Sequence, residues 1–169
     1  MTTLYIARHG ETIENSQHIL QGHMPGHLTP LGIEQAQRLR DELRSVHFDA
    51  LLCSDLQRCI DTAAIVAEPH QQSILYTRLL RERDWGDLTG ASIPTLDRSQ
   101  PFPANVETEA ALLKRASIFL RFVADTYPDK TVLAVSHGLF CRFIQAAHSG
   151  KSIRQVERMC NAEVRVLQV

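Results

Sequence analysis

Apolar positions along the chain change their period several times, and each change predicts an element. Leu4, Tyr5, Ile6 and Ala7 run without interruption, as in a strand buried on both faces of a parallel sheet, and the run stops at Arg8. A loop containing Gly and Pro follows as far as Thr29-Pro30, a pair that reads as a helix N-cap with proline in the first helical position. Ile33, Ala36, Leu39, Leu43 and Val46 then recur at helical spacing with charges opposite them, which predicts an amphipathic first helix. Ala50 to Cys53 reads as a second apolar strand. Ser54-Asp55-Leu56-Gln57 has the Ser-x-x-Gln form of a capping box, with Ser54 as the cap and Arg58 in the first turn of the next helix. Ser73 to Thr77 predicts a third strand. Residues 80–105 lose all period, with Pro94, Pro101 and Pro103 as breakers. Leu112, Leu113, Ala116, Phe119, Leu120 and Val123 restore helical spacing within Glu107 to Tyr127, before Pro128. Thr131 to Val135 is a fourth buried strand, Gly138 opens a helix running to about Ser149, and the alternation from Glu163 to Gln168 predicts a last strand near an edge.

Strands alternating with helices predict an α/β fold, a three-layer α/β/α sandwich with a mainly parallel central sheet and right-handed crossovers. A chain of 169 residues suits one domain spanning 1–169, with residues 80–106 as a substrate lid. In such folds ligands bind beyond the carboxyl ends of the strands. The residues capable of chemistry fall there: Arg8 and His9 after strand one, Arg58 after strand two, Glu82 after strand three and His137 after strand four.

Charge narrows the partners. Eighteen basic and nineteen acidic side chains leave a formal charge of -1, so no global field draws the protein to nucleic acid or to a membrane, and any anion site is local. No segment is long and apolar enough to span a bilayer. The first residues enter a strand without a signal-like leader, which sets the expectation of a cytoplasmic protein. Cys53, Cys59, Cys141 and Cys160 show no CxxC spacing and read as buried free thiols. His23 and His27 stand at metal-like spacing, but Pro25 and Gly26 between them argue against a helical pair of ligands.

A phosphate monoester fits this set of side chains. Its two negative charges call for fixed cations, and the planar guanidinium groups of Arg8 and Arg58 grip oxygens in pairs as a lysine does not. A neutral imidazole at His9 can attack phosphorus if its other nitrogen is held in the right tautomer, splitting hydrolysis into formation and breakdown of a phosphohistidine. His137 is then expected to hydrogen-bond the transferring group as a cation, and Gly10 to let substrate approach the backbone. Glu82, beside a bound dianion that disfavours a second negative charge, is placed to protonate the leaving alkoxide and later to take a proton from the attacking water. This chemistry needs neither cofactor nor metal.

Arg8-His9-Gly10-Glu11-Thr12 resembles the RHGET signature of the histidine phosphatase superfamily, the phosphoglycerate mutase-like proteins, whose histidine is the nucleophile. Asn15 with Gln21-Gly22 resembles its N-x(5)-QG pattern, and Leu28-Thr29-x-x-Gly32 its LTxxG helix start. The segment from Ser54 to Ala63 resembles SxLxRxxxTA, which supplies the second arginine. Leu80 to Gly86 with Gly90 resembles LxExxxGxxxG, whose glutamate is the proton donor, and Val135-Ser136-His137-Gly138 the segment of the second histidine. The resemblance implies a phosphoglycerate mutase-like fold, with Arg8, Gly10, Asn15, Gln21, Gly22, Arg58 and His137 around the phosphate. Glu14, His27 and Val106-Glu107-Thr108 depart from the family's usual tryptophan, proline and Gly-Glu-Ser.

Between Gly90 and Glu107 the chain offers one basic residue, Arg98, where the mutases carry several for a second charged group, which favours hydrolysis over mutation. The resemblance points to a small phosphorylated metabolite such as α-ribazole phosphate or a phosphosugar, or to a phosphoprotein. Two alternatives stay open: a 2,3-bisphosphoglycerate-dependent phosphoglycerate mutase, and a non-catalytic module that binds phosphorylated ligands. Asn15 has two readings, a phosphate contact or a turn-former. Trp85 reads first as a packed loop anchor.

Overall fold

The computed structural model describes residues 1–169. The chain runs β1 (Thr3–Arg8), α1 (Ile13–Ser16), α2 (Pro30–Leu43), β2 (Ala50–Ser54), α3 (Gln57–Ala67), β3 (Ile74–Thr77), α4 (Glu109–Thr126), β4 (Thr131–Ser136), α5 (Gly138–Ser149) and β5 (Val164–Gln168). Five strands form one sheet in the order β3-β2-β4-β1-β5, parallel except for β5, which pairs antiparallel with β1 at the edge.

Alternation along the strands divides the core in two. Leu4, Ile6, Val132 and Ala134 point to one face, where they meet Ala116, Phe119, Phe140 and Ile144 of α4 and α5. Ala7, Leu51, Leu133 and Val135 point to the other, against Leu39, Leu43, Cys59 and Ala63 of α2 and α3. Burying both faces of a strand requires its unbroken apolar run, which is why β1 and β4 read so clearly. The result is the expected α/β/α sandwich.

The strand order creates a switch point. From the end of β1 the chain leaves through α2 toward β2, and from the end of its neighbour β4 it leaves through α5 toward β5, on the opposite face and in the opposite direction. The two departures open a crevice at the carboxyl ends of β1 and β4, where ligands bind in open α/β sheets. His9 follows β1 and His137 follows β4; His9 N still donates to Ser136 O at 3.0 Å, carrying the strand pairing into the site.

Three expectations need correction. Ser54 does not cap α3: the helix begins after Leu56 without a side-chain cap, because the Ser54 hydroxyl is committed to His137. The segment after β1 is not all loop, since Thr12 and Asn15 form a capping box around the single-turn helix α1. Cys53, Cys59 and Cys141 are buried free thiols, but Cys160 is exposed.

Candidate active site

Arg8, His9, Asn15, Gln21, Gly22, Arg58 and Glu82 line one cavity of about 170 Å³, together with the apolar surface of Leu20, Trp85, Ile93 and Leu139. Seven of the nine residues singled out from the sequence therefore share a wall. His137 and Gly10 stand behind it.

His9 is 2% exposed. Its Nδ1 lies 2.7 Å from Gly10 O, a carbonyl that can only accept, so Nδ1 carries the proton and Nε2 keeps its lone pair. Burial first, then Arg58 and Arg8, pushes the imidazole pKa well below its ordinary value of 6.5. His9 is thus a neutral base with a fixed tautomer.

His137 is fully buried and packs edge-on to His9, with ring centroids 5.3 Å apart. Arg58 Nε donates to its Nδ1 at 3.2 Å, and its Nε2 donates to Ser54 Oγ at 2.8 Å. Burial, Arg58 and His9 hold its pKa well below 6.5. A guanidinium donating to one nitrogen demands a lone pair there, so His137 is neutral in the unliganded protein; the cation expected from sequence is that of the protein with a phosphoryl group bound.

Two buried neutral histidines make stability depend on pH. The unfolded chain takes up a proton on each near pH 6.5 and the folded protein does not, so their contribution is complete above that pH and is lost as pH falls below it. From pH 7.5 to 5.5 each costs about 1.4 kcal/mol. Urea unfolding of His137→Gln is expected to show a pH-dependent loss about 1.4 kcal/mol smaller than wild type; an equal loss would mean that His137 is already protonated in the folded state.

Both site arginines are held by carbonyl groups. Arg58, 1% exposed, donates from Nη2 to Gly22 O at 2.8 Å and from Nη1 to Met24 O at 2.5 Å, pinning the loop that carries Gln21. Gly22 has φ 51° and turns its carbonyl toward this arginine. Arg8 donates to Met159 O at 2.6 Å, while its buried Nε has no partner. Carboxylates engage other arginines, as in Arg81–Asp55 and Arg115–Glu107. Burial draws down the pKa of both Arg8 and Arg58. Two desolvated cations facing one cavity favour an anion between them.

The glycines serve closer contacts than expected. Gly10 donates its N–H to Thr62 Oγ1 at 3.1 Å, and a Cβ on it would lie 2.4 Å from Gly32 O, so it lets the β1 loop meet the start of α2. A Cβ on Gly138 would lie 2.8 Å from Arg8 Nε. Gly138→Ala is expected to displace that guanidinium and lower kcat/KM at least tenfold with the fold intact by circular dichroism; unchanged kcat/KM would show that Arg8 is not needed where it stands.

Glu82 sits at the start of α5, where Oε2 accepts from Leu139 N at 3.1 Å and Oε1 from Phe140 N at 3.0 Å and Arg83 N at 2.9 Å. Arg115 fixes the backbone beneath it: bonded to both oxygens of Glu107 at 3.0 and 2.9 Å, it donates to the carbonyls of Leu79 and Arg81 and, more weakly, of Glu82. Sequence reading passed over Arg115 and read Ser54 only as a helix cap, since neither partner set is local. Asn15 does form the turn, its Oδ1 accepting from Thr12 N, and it also lines the cavity. Gln21 Oε1 accepts from Thr12 Oγ1 at 3.0 Å. Trp85 packs on Phe102 and under Arg83 and reaches the cavity too. The stretch around it is tied down by Leu20 N to Ala91 O and Ile93 N to His18 O, at 2.9 and 2.8 Å.

Residues 4–169 match the family model of the histidine phosphatase superfamily (branch 1). The broad-specificity phosphatase YOR283W of Saccharomyces cerevisiae is 42% identical over 100 residues, 56% of this chain and 44% of the yeast protein, so the match spans under half of that relative's length. The adenosylcobalamin/alpha-ribazole phosphatase of Escherichia coli is 33% identical over 147 residues, covering 79% of this chain and 72% of that protein. Among solved structures, Bacillus stearothermophilus YhfR superimposes with a TM-score of 0.93 at 28% identity, over 100% of this chain and 92% of its own. Its match across nearly the whole sequence, with family motifs gathered on one cavity at the sheet's switch point, shows that the chain belongs to the histidine phosphatase superfamily.

Proposed function

We propose that the protein hydrolyses a phosphomonoester in two steps through a phosphohistidine on His9. The observation that carries this reading is the fixed tautomer of His9, whose free Nε2 shares a cavity with the buried guanidinium group of Arg58 and the partly buried one of Arg8, neither with a carboxylate in contact. The phosphoryl oxygens take the place between Arg8 and Arg58, drawing charge into a site already oriented for it. His9 Nε2 attacks phosphorus as the P–O bond to the alcohol breaks. Glu82, protonated while the phosphoryl charge lies beside it, gives its proton to the departing oxygen. As a carboxylate it then takes a proton from water, whose oxygen attacks phosphorus and returns His9 to the neutral state. Atoms and charge balance without a further reactant.

His137 enters this scheme as the group that orients Arg58. It contacts the phosphoryl oxygens itself only when the Arg58–His137 bond gives way. Residues 80–106 serve as the lid, with Trp85 and Ile93 over the cavity. Names among the relatives support a small phosphorylated substrate, since one is called a broad-specificity phosphatase and another an alpha-ribazole phosphatase.

Rapid alkaline quenching after mixing with a phosphorus-labelled ester tests the intermediate. Label on the protein that is stable to alkali, labile to acid and absent from His9→Ala is the expected result. Phosphate release without such label would place the attack on water in a single step; binding without release would favour a non-catalytic phospho-ligand module.

A further inference from the structure

A second cavity of about 280 Å³ adjoins the first, sharing Arg8, Glu82, Trp85, Ile93, Gly138 and Leu139 with it. It touches neither His9 nor Arg58, and it adds Arg142, Arg158 and Met159. Its use is inferred on the phosphatase reading above. In an in-line transfer the leaving oxygen departs opposite the nucleophile, so the alcohol half of the substrate extends past Glu82, away from His9, into this space.

The walls there have an uneven charge. Arg142 is held by backbone carbonyls, Nε to Val156 O at 3.0 Å and Nη2 to Ile153 O at 2.8 Å. The side chain of Arg158, two residues beyond Val156, is exposed and takes part in no ion pair, while the nearby Arg165 is paired with Glu163 at 2.7 Å. Burial, followed by Arg158 and Arg165, draws the Arg142 pKa down, as expected of clustered cations. Against Arg8, Arg142 and Arg158 the cavity has a single carboxylate, Glu82, whose oxygens already accept three backbone N–H groups. Trp85, Ile93, Leu139 and Met159 supply apolar surface between the charges.

We propose that Arg142 and Arg158 form an anion subsite for the leaving group, so that the preferred substrate is a phosphomonoester whose alcohol carries a second anionic group. A carboxylate and a second phosphate share the required chemistry, because both accept paired hydrogen bonds from guanidinium groups. The basic residues missing between Gly90 and Glu107 are supplied from α5 and the segment before β5.

The test compares matched substrates that differ in one anionic group: 3-phosphoglycerate against glycerol 3-phosphate, and propane-1,3-diol bisphosphate against its monophosphate. Wild type is expected to favour the doubly anionic member of at least one pair tenfold or more in kcat/KM, and which pair shows it separates carboxylate from phosphate. Arg158→Ala is expected to cut that ratio about tenfold and Arg158→Glu to reverse it. The ratio is insensitive to a general loss of active protein, and Arg158 is exposed, so folding is not at issue. Calorimetric binding of the same pairs to His9→Ala, with and without Arg158→Glu, reads the subsite apart from turnover. A binding preference abolished by Arg158→Glu, in a protein that hydrolyses none of the four, would uphold the subsite and overturn the phosphatase reading. Equal affinity for both members of each pair, or a preference that survives Arg158→Glu, overturns the subsite.

Discussion

His9→Ala is expected to lower kcat/KM for phosphomonoesters by at least about 10⁴-fold, roughly 5.5 kcal/mol of transition-state stabilisation. The loss is this large because removal of the nucleophile closes the two-step route and leaves only water, with no group placed to activate it until Glu82 has given up its proton. The same variant keeps Arg8 and Arg58 in place, since Met159 O, Gly22 O and Met24 O hold them without help from the imidazole. Inorganic phosphate is therefore expected to bind His9→Ala within about tenfold of its wild-type affinity. The pair of results separates chemistry from binding. Activity within a hundredfold of wild type would move the nucleophile elsewhere, and joint loss of activity and phosphate affinity would show that His9 organises the site rather than attacks.

The different fates of the sequence readings have physical causes. Strands β1 and β4 were legible because burial on both faces demands a continuous apolar run, and residues at their ends were legible as a candidate site because the fold class fixes where ligands bind. Arg8, His9, Arg58 and Glu82, separated by as many as 74 positions in sequence, do share one cavity. Contacts that depend on which atom faces which were not legible. Ser54 looks like a helix cap from its neighbours alone, yet its hydroxyl meets His137, 83 residues away. Gly10 reads as an opening for substrate, and that its missing side chain also admits Gly32 was not legible. The neutral state of His137 in the unliganded protein was not legible for the same reason: its burial and the donor on Nδ1 come from tertiary structure. Arg142 and Arg158 look like ordinary surface charges in sequence, and only the cavity relates them to Glu82.

Glu82→Gln is expected to divide substrates by the basicity of their leaving groups. An alkyl phosphate releases an alkoxide that must be protonated as it departs, so kcat/KM for such esters falls by about 10³-fold, within the usual range for a lost general acid. A nitrophenyl phosphate releases a stable phenolate, and its first step proceeds with kcat/KM reduced by less than about tenfold. Breakdown of the phosphohistidine still needs a base, which a glutamine does not supply. The variant should therefore release one nitrophenol per active site in a fast burst and then turn over slowly, with labelled phosphate held on His9. The local structure tolerates the exchange: the glutamine oxygen can keep the bonds from Phe140 N and Arg83 N, while its NH₂ faces Leu139 N–H, at a cost of about 1–3 kcal/mol. That cost is visible as a lower unfolding midpoint and is the same whichever ester is present. An equal loss with alkyl and nitrophenyl esters, without a burst, would remove Glu82 from proton transfer and leave it as a cap on α5; a burst confined to the nitrophenyl ester would assign it both proton transfers.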